Sequence, residues 1–261
     1  MKGAGFVYKQ SCLWAVIGLL FCCTNAATAQ ETDTWQNELT IYGWLSDIGG
    51  TVQMPGPVGA SSDFTVDVSD IISNLNMIFM GDWVSKKGKW SFIADVVYMD
   101  VGDSENKTVT PGSSGVPVNA SLDLDISTWL VNTGVGYDVV QTEQTSLAVV
   151  GGVRYMTLDV DVKAGFQGPG VEQSGSDALL DGIIGVRGSY SFNENWYLPY
   201  YADIGTGGSD LTWQLFAAIG YRFGWGDIRL GYRYLNYDLG DDAVMQGMDL
   251  TGPVLGVGFT F

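Results

Sequence analysis

The clearest pattern in the chain lies at its end, where Pro253, Leu255, Val257, Phe259 and Phe261 alternate with Gly252, Val254, Gly256, Gly258 and Thr260. One face of such a strand is large and apolar, and the other is small. A soluble antiparallel sheet would turn a charged second face to water. Glycine in its place suits the crowded inside of a small closed barrel. The same period of two predicts strands near 37–47, 75–86, 89–101, 124–138, 145–158, 178–192, 196–205, 211–223, 227–238 and 250–261. Each reaches the roughly 9–11 residues that a tilted transmembrane strand needs. No uncharged apolar run beyond Gln30 approaches the length of a spanning helix, which excludes helical spans.

The connections alternate too. Lys86–Gly88, Val139–Glu143, Asn193–Asn195 and Gly224–Gly226 read as tight turns, whereas the segments near 48–74, 102–123, 159–177, 206–210 and 239–249 read as loops, most of them longer. Short turns on one side and long loops on the other are a property of outer-membrane barrels. The expected fold class is therefore all-β, an antiparallel up-and-down transmembrane β-barrel of ten strands. Eight or twelve are the alternatives if the 48–74 segment is misread, since its TVQM and FTVDV pieces are too short to span. An even strand count puts both termini on the short-turn side, which is the periplasmic side in such barrels. Trp35, Trp83, Trp90, Trp196 and Trp225 fall beside that end, with Tyr137, Phe192, Phe223 and Phe261. An indole has an apolar body and a polar N–H, so a girdle at a membrane interface collects it there.

The first 29 residues read differently. Lys2 and Lys9 precede the apolar run Cys12–Cys23, and Ala27-Thr28-Ala29 forms a cleavage site, the three parts of a secretory signal peptide. The expected organisation is a cleaved segment 1–29 and a single barrel domain 30–261. Cleavage removes all three cysteines and two of the 12 basic residues, so the formal charge of −17 becomes −19. The exported chain then has no thiol, disulfide or cysteine-based metal site. Such an acidic chain is a poor partner for nucleic acid, whose phosphates need a basic surface. The sequence contains no histidine, and so lacks the commonest general base and transition-metal ligand.

The signal segment, the alternating strands and above all the final VLGVGFTF ending in Phe261 resemble the small Gram-negative outer-membrane β-barrel proteins. Ten strands depart from the eight of the OmpA-like and OmpW-like barrels, so no subfamily is assigned. The resemblance implies residence in the outer membrane among lipid and lipopolysaccharide, as a monomer. It also implies transient recognition by the barrel-assembly machinery through a C-terminal signal carried by Val257, Phe259 and Phe261.

Extending the alternation assigns the charges. Glu38, Asp82, Asp95, Asp181 and Asp203 fall on the lumen-facing parity, together with Arg154, Arg187, Arg222, Arg229 and Arg233, which are all the arginines of the chain. Every lysine beyond residue 29 falls in a turn or loop on this reading. A guanidinium holds carboxylates in a planar fork and stays charged when poorly hydrated. The network is expected to fill the lumen and fix strand register; the competing reading is a narrow ion or solute path, with arginines of the later strands facing acids of the earlier ones.

Most remaining acids lie in the long loops. Pairing of 124–138 with 145–158 brings Asp123 and Asp125 beside Asp159 and Asp161. Like charges across a strand pair are unfavourable unless a cation intervenes, and oxygen ligands suit Ca²⁺. A Ca²⁺ site is expected there and no other cofactor. Parity slips near Ser127 and Thr128, where a bulge is expected, and residues 70–75 suggest a short helix. Gly182, Gly185 and Gly188 are not followed by a Gly-Lys-Ser/Thr sequence, so they make no phosphate loop. With no histidine, the expectation is a non-enzymatic barrel with a structural or surface-interaction role carried by acidic loops; the alternative is a narrow channel.

Overall fold

The computed structural model describes residues 34–53, 61–109, 118–165, 171–240 and 245–261. The signal segment 1–29 lies outside these residues. Twelve strands form one antiparallel sheet: β1 (Gln36–Trp44), β2 (Asp47–Gln53), β3 (Ser61–Val66), β4 (Leu75–Lys87), β5 (Trp90–Val109), β6 (Val118–Gln141), β7 (Thr145–Gly165), β8 (Val171–Ser191), β9 (Trp196–Gly207), β10 (Leu211–Arg222), β11 (Asp227–Asp238) and β12 (Met245–Thr260). A one-and-a-half-turn helix, α1 (Val68–Ser73), precedes β4. No helix among the described residues is long and apolar enough to cross a membrane.

Ten strands close the barrel and the hairpin of β2 and β3 is an addition to it. β12 pairs with β1 through Trp44↔Val254 and then with β2 through Asp47↔Thr251, so β1 and β2 run along it as one kinked strand. Stepping from Glu38 across each ladder in turn leads through Val84, Ile93, Gly134, Gly152, Ile183, Gly205, Thr212, Tyr237 and Met248 to Gly50. The return point lies twelve residues further along the starting strand. Such a stagger over ten strands implies a tilt of about 40°. The start of β1 and the end of β12 meet beside the short turns, where Asn37 and Phe261 exchange backbone hydrogen bonds of 2.9 Å. At the tightest of those turns Gly88 has φ +58°, a conformation that a side chain would strain.

Several expectations are corrected. The segments read as loops near 102–123 and 159–177 largely continue the ladders: β5 pairs with β6 out to Val109↔Val118, and β7 with β8 out to Ala164↔Val171. The 48–74 segment holds the β2–β3 hairpin and α1, the latter two residues earlier than the 70–75 reading. The bulge expected near Ser127 and Thr128 is absent, because β6 pairs without interruption from Ser121 to Asp138 on β7 and the irregularity falls between Asp138 and Val140. The parity slip has another cause. On one side of Ser127 the residues of its parity, Trp129, Val131 and Val135, are apolar; on the other side the same parity falls on Asp125 and Asp123 in the sequence. The backbone keeps its register while the residues of that parity pass from apolar to acidic. Lys86 and Lys87 belong to β4 rather than to a turn.

Outward positions form an apolar belt between two aromatic levels. Trp90, Tyr137 and Tyr221 mark one level and Tyr98, Trp129 and Trp213 the other, eight residues apart on β5, β6 and β10. At the inferred tilt that spacing is about 20 Å along the axis, close to the apolar band of a membrane barrel. The second level, with Tyr234 stacked on Trp213, was not read from the sequence.

Inside, the barrel is filled in two tiers. Tyr42, Asp82, Asp95, Asn132, Arg154, Asp181 and Arg233 belong to a polar tier, and two residues further toward the long-loop end of the same strands stand Trp44, Met80, Val97, Leu130, Met156, Leu179 and Leu235. The apolar tier, completed by Tyr237, Met248 and Leu250, is the largest buried cluster. Inward glycines make room beside the longest side chains. Arg229 has Gly220 and Gly256 opposite it on its two neighbours, and a Cβ on Gly220 would stand 2.3 Å from the Tyr197 ring.

Candidate functional site

The polar tier is built by strand alternation: residues two apart on a strand point the same way, and closure brings seven strands' inward positions within reach of one another. At its centre, Arg233 Nη2 donates to Asp95 Oδ2 at 2.7 Å and to Gln214 Oε1 at 2.8 Å, and Nη1 donates to the Tyr42 hydroxyl at 2.8 Å. Tyr42 in turn donates to Asp95. Asn132 joins this group to the next, donating to Asp95 at 2.9 Å while its own carbonyl accepts from Arg154 Nε at 2.7 Å. Arg154 is fully buried and also donates to Thr212 Oγ1 at 2.8 Å and Asp203 Oδ2 at 2.6 Å. All three of its guanidinium nitrogens are engaged. Asp181, equally buried, accepts from the backbone N–H and hydroxyl of Ser209 at 2.8 and 2.9 Å.

A second group lies toward the short turns. Arg229 pairs with Glu38 and, at 2.6 Å, with Asp227, and it donates at 2.8 Å to the Tyr197 hydroxyl. Arg187 holds Asp82 through two hydrogen bonds of 2.6 and 3.0 Å. Arg222 donates to Ser191 Oγ at 3.2 Å and lies 4.1 Å above the Tyr197 ring. Lys86 pairs with Asp138. Both oxygens of Asp82 and both of Asp227 thus face a guanidinium in the planar geometry that favours arginine over lysine.

Among the ten charged positions read from the sequence, Glu38, Asp82, Asp95, Arg154, Arg187, Asp203, Arg229 and Arg233 make ion pairs with one another across the interior. Asp181 and Arg222 instead take neutral partners. Asp227, Asp138 and Lys86 were missed. Asp138 and Lys86 lie where a turn was expected to begin, and Asp227 opens β11; each nonetheless shares the parity of an inward neighbour. Asn132, Gln214, Thr212, Tyr42 and Tyr197 escaped because a search for charges passes over the neutral groups that complete its hydrogen bonds.

Two spaces remain. A cavity of about 100 Å³, lined in part by Thr40, Tyr42, Asp82, Arg187, Tyr201 and Arg229, lies among the ion pairs. A recess of about 430 Å³ bordered by Glu38, Lys86, Asp138, Arg187, Arg222 and Asp227 opens beside the short turns. No group of three or more acidic or sulfur ligands able to hold a metal occurs among the described residues.

For the expected Ca²⁺ site, the register sets Asp125 opposite Asp161, Asp123 opposite Lys163, and Asp159 opposite Ser127. The side chains of Asp123, Asp125 and Asp161 lie outside the described residues. Val257, Phe259 and Phe261 carry outward parity at the closing seam, where Val257 pairs with both Ile41 and Ile228 and Phe259 lies near Trp225.

No family model and no curated protein matches the chain. Among solved structures it is similar to the outer-membrane protease OmpT from Escherichia coli, with a TM-score of 0.51 at 12% identity over 91% of this chain and 100% of that one. Further structural likenesses are the translocator domain of the autotransporter NalP from Neisseria meningitidis (TM-score 0.45, 16% identity, 95% and 93% of the two chains) and Ail, the attachment invasion locus protein of Yersinia pestis (TM-score 0.38, 11% identity, 88% and 100%). The likeness to OmpT shows the fold, a closed antiparallel barrel of the outer-membrane kind.

Proposed function

We propose that the protein is an integral outer-membrane barrel that conducts no solute and acts as a rigid, non-enzymatic support for the acidic segments at its long-loop end. The observation that carries this reading is the apolar tier. Trp44, Met80, Leu130, Leu235 and Tyr237 are almost wholly buried outward of the ion pairs, so any ion leaving the polar tier meets a dry layer with no ligand to replace its water. The absence of histidine and the engagement of six inward carboxylates in ion pairs, with Asp181 held by Ser209 instead, support a non-enzymatic role. On this reading the termini face the periplasm, the acidic segments face outward, the barrel is a monomer in lipid and lipopolysaccharide, and Val257, Phe259 and Phe261 are read by the assembly machinery.

The recess of about 430 Å³ favours a second reading, a narrow channel entered from the short-turn side. Purified protein in vesicles loaded with a potassium-sensitive dye separates the two. The proposal expects leakage equal to that of empty vesicles, and a protein-dependent flux supports the channel. For the surface role, replacing Asp100, Asp103, Glu105, Asp123 and Asp125 by their amides is expected to leave the barrel folded and to abolish adhesion of expressing cells to a cationic surface. Unchanged adhesion contradicts it.

A further inference from the structure

Toward the short turns one cation stands apart from the pairing of the interior. Arg154, Arg187, Arg229 and Arg233 each face a carboxylate. Arg222, the last residue of β10, makes no ion pair among the described residues. Its cross-strand neighbour is Asp227, but Arg229 bonds both oxygens of that carboxylate and the Tyr197 hydroxyl donates to it at 2.8 Å. Glu143 and Glu194 border a neighbouring hollow with Arg222 and form no ion pair with it.

The guanidinium is nonetheless held in place. It lies 4.1 Å above the ring of the buried Tyr197, and Nη1 donates to Ser191 Oγ at 3.2 Å. The Arg222 backbone is tied to Asn195, which accepts from its N–H at 2.9 Å and donates to its carbonyl at 3.1 Å. Nε and Nη2 find no hydrogen-bond partner among the described residues. These two nitrogens form the side of the guanidinium that can receive both oxygens of a carboxylate.

Arg222 borders the recess of about 430 Å³ at the short-turn end, together with Ser146 and Ser189. That volume lies in the range of small-molecule pockets. The acids on its lining, Glu38, Asp138 and Asp227, are each paired already. One uncompensated positive charge therefore matches one negative charge, and a dianion would meet the field of three carboxylates. We infer that the recess is a binding site for a small monocarboxylate, held in the planar fork of Arg222 with its neutral remainder in the space bordered by Ser146 and Ser189. The site is reached from the short-turn end and needs no open lumen, so it holds whether or not the barrel conducts.

The test treats the protein in an uncharged detergent with phenylglyoxal, and modified arginines are mapped by mass spectrometry. Arg222 is expected to react ahead of the four paired arginines, and propionate to slow that reaction saturably while propionamide does not. A titration followed by saturation-transfer NMR on the propionate methyl group gives the association constant directly. Arg222→Gln is expected to lower it on the order of tenfold, the worth of one hydrogen bond to a charged group. Heat-modifiable electrophoretic mobility verifies that the variant is folded; if it is not, protection of Arg222 in the parent decides. Absent protection by propionate, equal protection by propionamide or inorganic phosphate, or unchanged binding in folded Arg222→Gln overturns the inference. Slower modification in phosphatidylglycerol than in phosphatidylcholine vesicles, without propionate, would assign the guanidinium to a lipid headgroup and overturn it as well.

Discussion

The two tiers of the interior fill the same barrel by opposite means. Toward the short turns the filling is ionic: four arginines and a lysine pair with six carboxylates, most of them on distant strands. Toward the long-loop end it is apolar, a cluster from Trp44 to Val254 that makes no demand on direction. An ionic filling is accurate but intolerant, because each partner left alone is a desolvated charge. An apolar filling loses only what is removed. Together they divide the interior, with the polar tier bonding distant strands to one another and the apolar tier packing the barrel beyond it.

The sharpest way to break this contrast is at Arg154, whose loss leaves Asp203 buried without its cation. Arg154→Met is expected to destabilise the barrel by about 3–5 kcal/mol, and the double variant Arg154→Met/Asp203→Leu to recover most of that, as read by urea unfolding in vesicles. Equal effects of the single and double variants would show that packing, not charge, dominates the polar tier. In the apolar tier, Leu235→Ala is expected to cost about 3 kcal/mol through a cavity, while Leu235→Met stays within about 1.5 kcal/mol of the parent. Nearer the recess the ionic penalty fades. Arg187 and Asp82 keep 27% and 15% of their side-chain surface, so Arg187→Ala is expected to cost about 1–2 kcal/mol, with water replacing the guanidinium. The smallest effect lies in the β6–β7 ladder beyond Ser127, where the register pairs Asp125 with Asp161. Millimolar Ca²⁺ is expected to raise the melting temperature by a degree or two, about the worth of one cross-strand charge pair, and Asp123→Asn/Asp161→Asn to remove the rise. A chelator-independent melting curve contradicts a Ca²⁺ site.

Much of this architecture was legible in the sequence because a belt-facing strand has one apolar neighbour throughout its length. The segments 211–223 and 227–238 match β10 and β11 almost residue for residue. Legibility ended where the neighbour changes. On β6 the residues of one parity turn from Trp129 to Asp125 without any break in the backbone register, and a period-two reading takes the reversal for a bulge or a loop. The arginines were legible because alternation alone assigns their face. Their partners Asn132 and Gln214 were not, since amides appear on either face. The apolar tier was present as the residues two places outward from each polar one, but an inward-facing Leu or Met on one strand has meaning only when neighbouring strands supply others at the same height. The end of the β1–β4 ladder at Ile41↔Gly81 follows from a register that no single segment contains.

We propose that the apolar tier closes the lumen. Its most direct test is single-channel recording in planar bilayers of the parent beside Leu130→Ala/Leu235→Ala, with folding of both verified by heat-modifiable mobility. A silent parent is expected, with small, brief openings in the double variant, whose apolar layer is thinned while its ion pairs remain. Stable conductance steps from the parent, unchanged by the two substitutions, would contradict it.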